Sequence, residues 1–104
     1  MSDIAGKMPS KEKFSEQVDS IFQARVSEGL PFDLRLVRFD DIVSNAVQEN
    51  FSLLFQAPSD APPIQNIFQL SHEALGKMDL FLVPVKKDEN GIYYEAVFNR
   101  FKSQ

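Results

Sequence analysis

The chain has 104 residues, the common size of one domain, and its 43% hydrophobic and 25% charged residues are typical of a folded globular protein. A formal net charge of −4 gives no broad attraction for a phosphate backbone, so we expect no nucleic-acid partner. The absence of cysteine excludes disulfides and favours a cytoplasmic location, and no apolar window is long enough for a membrane span.

The N-terminal part of the chain changes character at Ser10. Residues 1–9 have no periodic pattern, and we interpret them as a flexible tail before a single β-rich domain at residues 10–104. From Ser10 onward, Phe14 and Val18 stand at helical spacing, and Ser10 is placed to cap the helix. This pattern predicts one amphipathic helix of about two to three turns.

After the helix the hydrophobic period shortens to two, which is typical of half-buried strands. Ten Phe and two Tyr residues also favour strands, where flat rings pack well. Because the links between the strands are short, we expect antiparallel neighbours. The sequence predicts a mainly β fold, a small antiparallel roll, barrel or sandwich of about six or seven strands with one N-terminal helix. The predicted strands cover residues 22–26, 32–36, 51–58, 67–72, 78–85 and 92–98.

The last two strands enclose Asn90 and Gly91, a strong hairpin signal, and the loop length decides which residues face each other. A two-residue turn pairs Glu89 with Ile92, whereas a three-residue turn pairs Asp88 with Ile92. We favour the second pairing because it brings the apolar rows of both strands to one buried face. Those rows are Met78, Leu80 and Leu82 in the first strand and Ile92, Tyr94, Ala96 and Phe98 in the second.

The opposite face of this hairpin is also too apolar to be left in water. Phe81, Val83, Tyr93 and Val97 stand on it and are our candidate interface residues. We expect this face to be covered either by a partner subunit or by the N-terminal helix.

Four strings between residues 51 and 100, "FSLLFQAP", "LSHEALG", "LFLVPV" and "YYEAVFNR", resemble a family of small bacterial domains of unknown function. The corresponding family pattern is F-S-L-L-F, L-x-H-x-x-L-G, L-F-L-V-P and Y-E-A-V-F-N, so the match covers the C-terminal half of the chain. The resemblance implies a compact β-rich domain without an established enzymatic activity. It also implies an association with phage-tail-like or collar-type proteins, and it supplies no catalytic residues.

No catalytic, metal-binding or phosphate-binding motif stands out in the chain. His72 is the single histidine, and we interpret it as structural, with its ring hydrogen-bonded to the turn that carries Gly76. The carboxylates at residues 40–41 lack the alternating ligands of a calcium loop, so we interpret them as part of a bulge or bend, or of a solvated turn. We therefore expect no catalytic residue, cofactor or metal.

These observations predict a non-enzymatic interaction or assembly domain that binds a protein partner or a second copy of itself. The alternative is a small-ligand-binding β-barrel in which Phe side chains line an internal pocket. Strong thermal stabilisation by one class of apolar compound would favour the pocket, whereas concentration-dependent association would favour the interface.

Overall fold

A computed structural model describes residues 8–101 as a closed antiparallel barrel of six strands, with one short helix before the first strand. The barrel order is β1-β2-β3-β6-β5-β4, and each neighbouring pair is antiparallel. The predicted mainly β, antiparallel fold is therefore confirmed, and it takes the barrel form. The elements are α1 Lys11–Ser15, β1 Ile21–Arg25, β2 Phe32–Ser44, β3 Gln48–Ala57, β4 Asn66–His72, β5 Gly76–Asp88 and β6 Gly91–Phe101.

The helix begins where the sequence predicts but is shorter. The Ser10 side chain accepts a hydrogen bond from the backbone N–H of Lys13 at 3.2 Å, as an N-cap should. Helix α1 ends at Ser15, after five residues, so the predicted length of two to three turns is wrong. The chain turns instead at Asp19, whose φ of 78° is left-handed and whose N–H donates to the Leu36 carbonyl. This bond joins the segment before β1 to β2, so the residues that follow pair in the sheet.

The barrel interior is filled by aromatic and aliphatic side chains from every strand. The rings of Phe22 and Phe55 meet edge to face at 5.4 Å, and those of Phe68 and Tyr94 meet at 5.1 Å. The Tyr94 hydroxyl donates to the Pro62 carbonyl, and burial raises the pKa of Tyr94 to about 12, so it remains a donor. Large side chains that are fully buried are Phe14, Phe22, Leu34, Leu36, Phe51, Leu53, Phe55, Phe68, Leu82, Ile92 and Tyr94.

The neighbouring carboxylates of Asp40 and Asp41 lie inside β2, so the predicted solvated turn is wrong at this position. Asp40 is paired with Arg38 at 2.8 Å, and Asp41 is paired with Lys11 of α1 at 3.2 Å. The predicted bulge or bend is confirmed as a shift in strand register between Asp41 and Val43. This irregularity and the two ion pairs take the place of the predicted solvated turn.

The β5–β6 hairpin follows neither of the two pairings considered from the sequence. Its loop has two residues and is closed by Asp88 and Gly91, so that Ile92 lies opposite Lys87. An extra residue in β5, Val85, then shifts the register by one and returns the apolar rows to a common face. The predicted face is confirmed, although the predicted register is wrong. Met78, Leu80, Leu82, Ile92, Tyr94 and Ala96 are all buried in the barrel.

The predicted tail at residues 1–9 lies mostly outside the described residues, and its separation from the domain at residues 10–104 stays a prediction. Of its last two positions, Pro9 is buried and Met8 packs against the core. Arg100 donates from Nη1 to the Pro9 carbonyl at 3.3 Å, which links this segment to β6. Within the described residues, no helix is long and apolar enough to cross a membrane.

Candidate functional site

Strands β5 and β6 separate at one end of the barrel. Between residues 8 and 101, their pairing extends from the hairpin only as far as Val83 opposite Glu95. The earlier part of β5 is paired with β4 alone, and the later part of β6 is paired with β3 alone. We call this opening the seam: residues 79–82 of β5 form one edge, and residues 96–101 of β6 form the other.

A groove of about 440 Å³ lies over the seam on the outer surface of the barrel. Its floor is formed by core side chains of both strands, including Leu80 and Ala96. The outward-facing side chains at its walls are partly buried or exposed. The wall and rim residues are Met8, Asp79, Phe81, Val83, Glu95 and Val97.

The structure brings three of the four predicted interface residues together in this groove. Phe81 is 54% exposed and Val97 is 56% exposed, while Val83 between them is partly buried. The fourth, Tyr93, lies on the same outer face but beyond the groove, where the Lys86 ammonium stands 4.6 Å from its ring centre. Ile67, which is opposite Phe81 on β4, extends the apolar surface and was not predicted.

The rim of the groove is acidic. Asp79 and Glu95 both line it, and among the described residues neither carboxylate has a salt-bridge partner. Sequence reasoning placed Glu95 on this face without naming it as an interface residue, and it missed Asp79, although Asp79 is two positions from Phe81 and therefore shares its face of the strand. An apolar floor beneath unpaired carboxylates favours a ligand that is both apolar and basic.

The N-terminal helix does not cover this face. Its buried residue, Phe14, packs 6.1 Å from the Phe51 ring and 5.4 Å from the Phe98 ring, at one end of the barrel interior. From the described N-terminal segment, Met8 reaches the groove. Of the two predicted covers, the helix therefore closes the barrel end, and within residues 8–101 no element lies over the groove.

The structure places His72 beside a serine hydroxyl, an arrangement that the sequence did not predict. The Nδ1 atom accepts hydrogen bonds from the backbone N–H groups of Ala74 and Leu75, at 3.0 and 3.2 Å, so the ring proton is on Nε2. The ring therefore donates to Ser20 Oγ at 2.8 Å, while that hydroxyl donates to the Gln17 carbonyl at 2.7 Å. Because Nε2 already carries a proton, His72 cannot accept the hydroxyl proton of Ser20, as the general base that activates a nucleophilic serine must. The predicted hydrogen bonding between the ring and the turn is confirmed, with the ring as acceptor.

This hydrogen bonding predicts a pH-dependent stability. Burial lowers the pKa of His72 below its ordinary 6.5, and the nearby Glu73 carboxylate opposes that shift. The unfolded chain therefore binds the proton more readily, and stability should fall as the pH drops below 6.5 until the lowered pKa is passed. In His72→Asn the side-chain oxygen can replace Nδ1 as acceptor. Urea unfolding of this variant between pH 5 and 7 should no longer show the dependence of the unfolding free energy on pH that His72 causes, which corresponds to the uptake of at most about one proton on unfolding. An unchanged slope would contradict the assignment to His72.

The comparison with known protein families gives one match. A family model described as "Domain of unknown function (DUF6916)" matches residues 9–98. The chain belongs to this family. The DUF6916 match includes the helix, strands β1 to β5 and most of β6, so the whole groove except Met8 lies within it. The predicted membership in a family of unknown function is confirmed at this level, and comparison with curated proteins and with solved structures gave no significant match.

Metal ligands are not gathered at the groove. Across residues 8–101, no group of three or more His, Asp or Glu side chains is arranged to hold a metal ion. Among the residues that the structure describes, the groove therefore presents apolar side chains, two carboxylates and two strand edges without a pairing strand.

Proposed function

We propose that this DUF6916 domain is a non-enzymatic interaction domain that binds a protein partner through the groove between β5 and β6. The observation that carries the proposal is the row of Phe81, Val83 and Val97 on the outer face, above a floor of core side chains. Apolar side chains clustered on an exposed face, with charged groups at the rim, are typical of protein-binding surfaces. The polarity of the Ser20–His72 contact supports the absence of hydrolase chemistry.

The alternative function, binding a small ligand within the barrel, has weaker support. The Phe rings that would line an internal pocket contact one another instead, as Phe22 does with Phe55. A small apolar ligand could use the surface groove, whose volume falls in the ordinary range for such sites. Thermal stabilisation of the purified domain by one class of apolar compound would favour that alternative.

The resemblance to a family associated with phage-tail-like or collar-type proteins gives the partner search a direction. We propose that components of such an assembly are the first candidates. In that role the domain would act as an adaptor or assembly module, consistent with a surface that binds and a core without reactive groups.

A charge placed at the groove tests the proposal. Val97→Glu should leave the domain folded, with a change in unfolding free energy within about 1 kcal/mol, because the side chain is exposed. The same substitution should abolish association, since it would bury a charged carboxylate against the partner's apolar side chains. Light scattering across a concentration series, and identification of co-purifying protein by mass spectrometry, measure the loss.

Val47→Glu is the matched control. Val47 is 56% exposed, as Val97 is, but it lies in the turn between β2 and β3, away from the groove. It should retain every association of the wild type. The proposal fails if both variants behave alike, or if the wild type remains monomeric and no protein accompanies it.

A further inference from the structure

We propose that the groove accepts an extended peptide segment as an added strand on β6, and that this segment carries apolar side chains at alternate positions together with lysine or arginine. The inference deepens the proposed function and rests on it, since it specifies which kind of partner segment the groove binds. Three features support it: the backbone of β6 at the seam, the shape of the groove and the charge at its rim.

Within residues 8–101, the backbone of β6 has no pairing strand at the seam. Asp88 and Gly91 close a two-residue loop, and in such a hairpin the closing pair is hydrogen-bonded. Gly91 therefore directs its N–H and C=O groups toward β5. Because hydrogen-bonded and non-hydrogen-bonded pairs alternate along an antiparallel strand, every second residue after Gly91 does the same. The register of β6 with β3 is unbroken, so the alternation continues to the end of the strand. Val97, Asn99 and Phe101 therefore direct their backbone groups into the seam, beyond the last described partner in β5.

An added strand can form hydrogen bonds with the backbone N–H and C=O groups of β6 at the seam, whereas a helix cannot. A helix satisfies its own backbone internally and would leave the edge of β6 unpaired, whereas an extended segment can pair with Val97, Asn99 and Phe101 along its length. Every second side chain of such a segment would then point inward, toward the floor formed by Leu80 and Ala96. Apolar residues at alternate positions suit that floor.

The charge at the rim specifies the remaining side chains. Asp79 and Glu95 flank the groove without a described ion-pair partner, so a lysine or arginine on the bound strand would gain a charge complement. A second copy docked groove to groove would instead bring four carboxylates together, on a chain whose net charge is already −4. We therefore favour a basic segment of another protein over self-association.

The test uses a seven-residue peptide that alternates valine with lysine, titrated into isotopically labelled domain and followed by nuclear magnetic resonance. We expect chemical-shift changes and slower amide exchange at Val97, Asn99 and Phe101. Replacing the lysines with glutamate should weaken binding by about tenfold or more. N-methylation of the central valine together with the lysine beside it should do the same, because one of two successive N–H groups in a bound strand faces β6 in either strand direction. Absence of binding, shifts confined to another surface, or equal binding by all three peptides would overturn the inference.

A protein variant tests the same backbone groups. Asn99→Pro removes an N–H that faces the seam without removing a bond to β3, so the domain should fold and the peptide should bind about tenfold more weakly or not at all. Asn99→Ala should bind as the wild type does. Should Asn99→Pro fail to fold, the N-methylated peptide still decides the question.

The two proposals fail in distinguishable ways. If Val97→Glu abolishes partner binding while Asn99→Pro leaves it intact, the groove is an interface but does not bind an added strand. If Val97→Glu has no effect on association, the proposed function itself is wrong.

Discussion

Gly91→Ala should destabilise the domain by about 3 kcal/mol or more, as a strained backbone and a steric clash act together. Gly91 has a φ of +136°, a conformation that residues with a Cβ rarely adopt. An added Cβ would also lie 2.0 Å from the backbone oxygen of Ala57, and this contact can be relieved only by moving β3 away from β6. Because Ala57 pairs with Ile92 in the barrel wall, that movement would open the sheet.

Gly76→Ala separates the two causes. Gly76 also has a positive φ, +84°, but an added Cβ meets nothing within 4 Å. Only the conformational strain remains, and we expect a loss of about 1 to 2 kcal/mol. Urea unfolding of both variants measures the difference. Equal losses at Gly76 and Gly91 would show that the close approach to Ala57 relaxes without cost.

Local patterns were sufficient to predict several turns and strand faces. A turn that carries Gly76 was predicted before β5, and in the structure Gly76 has a positive φ there and the ring of His72 accepts hydrogen bonds from that turn. The buried row of Met78, Leu80 and Leu82 was predicted because alternation along a strand places these side chains on one face. Such features depend on a few neighbouring residues, so the chain specifies them locally.

Strand register and helix length were not predictable in the same way. The register of the last hairpin depends on the extra residue at Val85, and nothing in its local sequence distinguishes a bulge from a regular strand. The helix pattern continued past Ser15, but the bond from the Asp19 N–H to the Leu36 carbonyl joins segments that are distant in sequence. In both cases a tertiary contact overrides a local preference.

The candidate site was predicted in its apolar part only. Phe81, Val83 and Val97 could be recognised as surplus hydrophobic residues on an outward face. The seam itself results from closing six strands into a barrel, after which β5 and β6 diverge beyond Val83, and no local pattern contains that geometry. Met8 reaches the groove from the far end of the chain, again through tertiary contact.

Phe51→Ala should cost about 3 to 5 kcal/mol of stability, because this ring organises the barrel end that α1 closes. Phe51 is fully buried and stacks on Phe98 with ring centres 4.6 Å apart and planes within 6°. Phe39 stacks on it at 5.6 Å, Phe14 of the helix packs at 6.1 Å, and the Arg100 guanidinium lies 5.1 Å from its centre. Truncation would remove all of these contacts at once and leave a cavity.

Phe81→Ala is the matched variant for Phe51→Ala, because it truncates an exposed Phe of the groove instead of a buried one. Phe81 is 54% exposed, so its truncation should change the unfolding free energy by about 1 kcal/mol or less. It should nevertheless weaken partner binding, since aromatic side chains in the centre of an interface contribute most of its energy. Urea unfolding and binding of the valine–lysine peptide, measured on both variants, should therefore give opposite rankings. If Phe81→Ala proves as destabilising as Phe51→Ala, the Phe81 ring stabilises the barrel itself, and its exposure no longer supports an interface on the outer face.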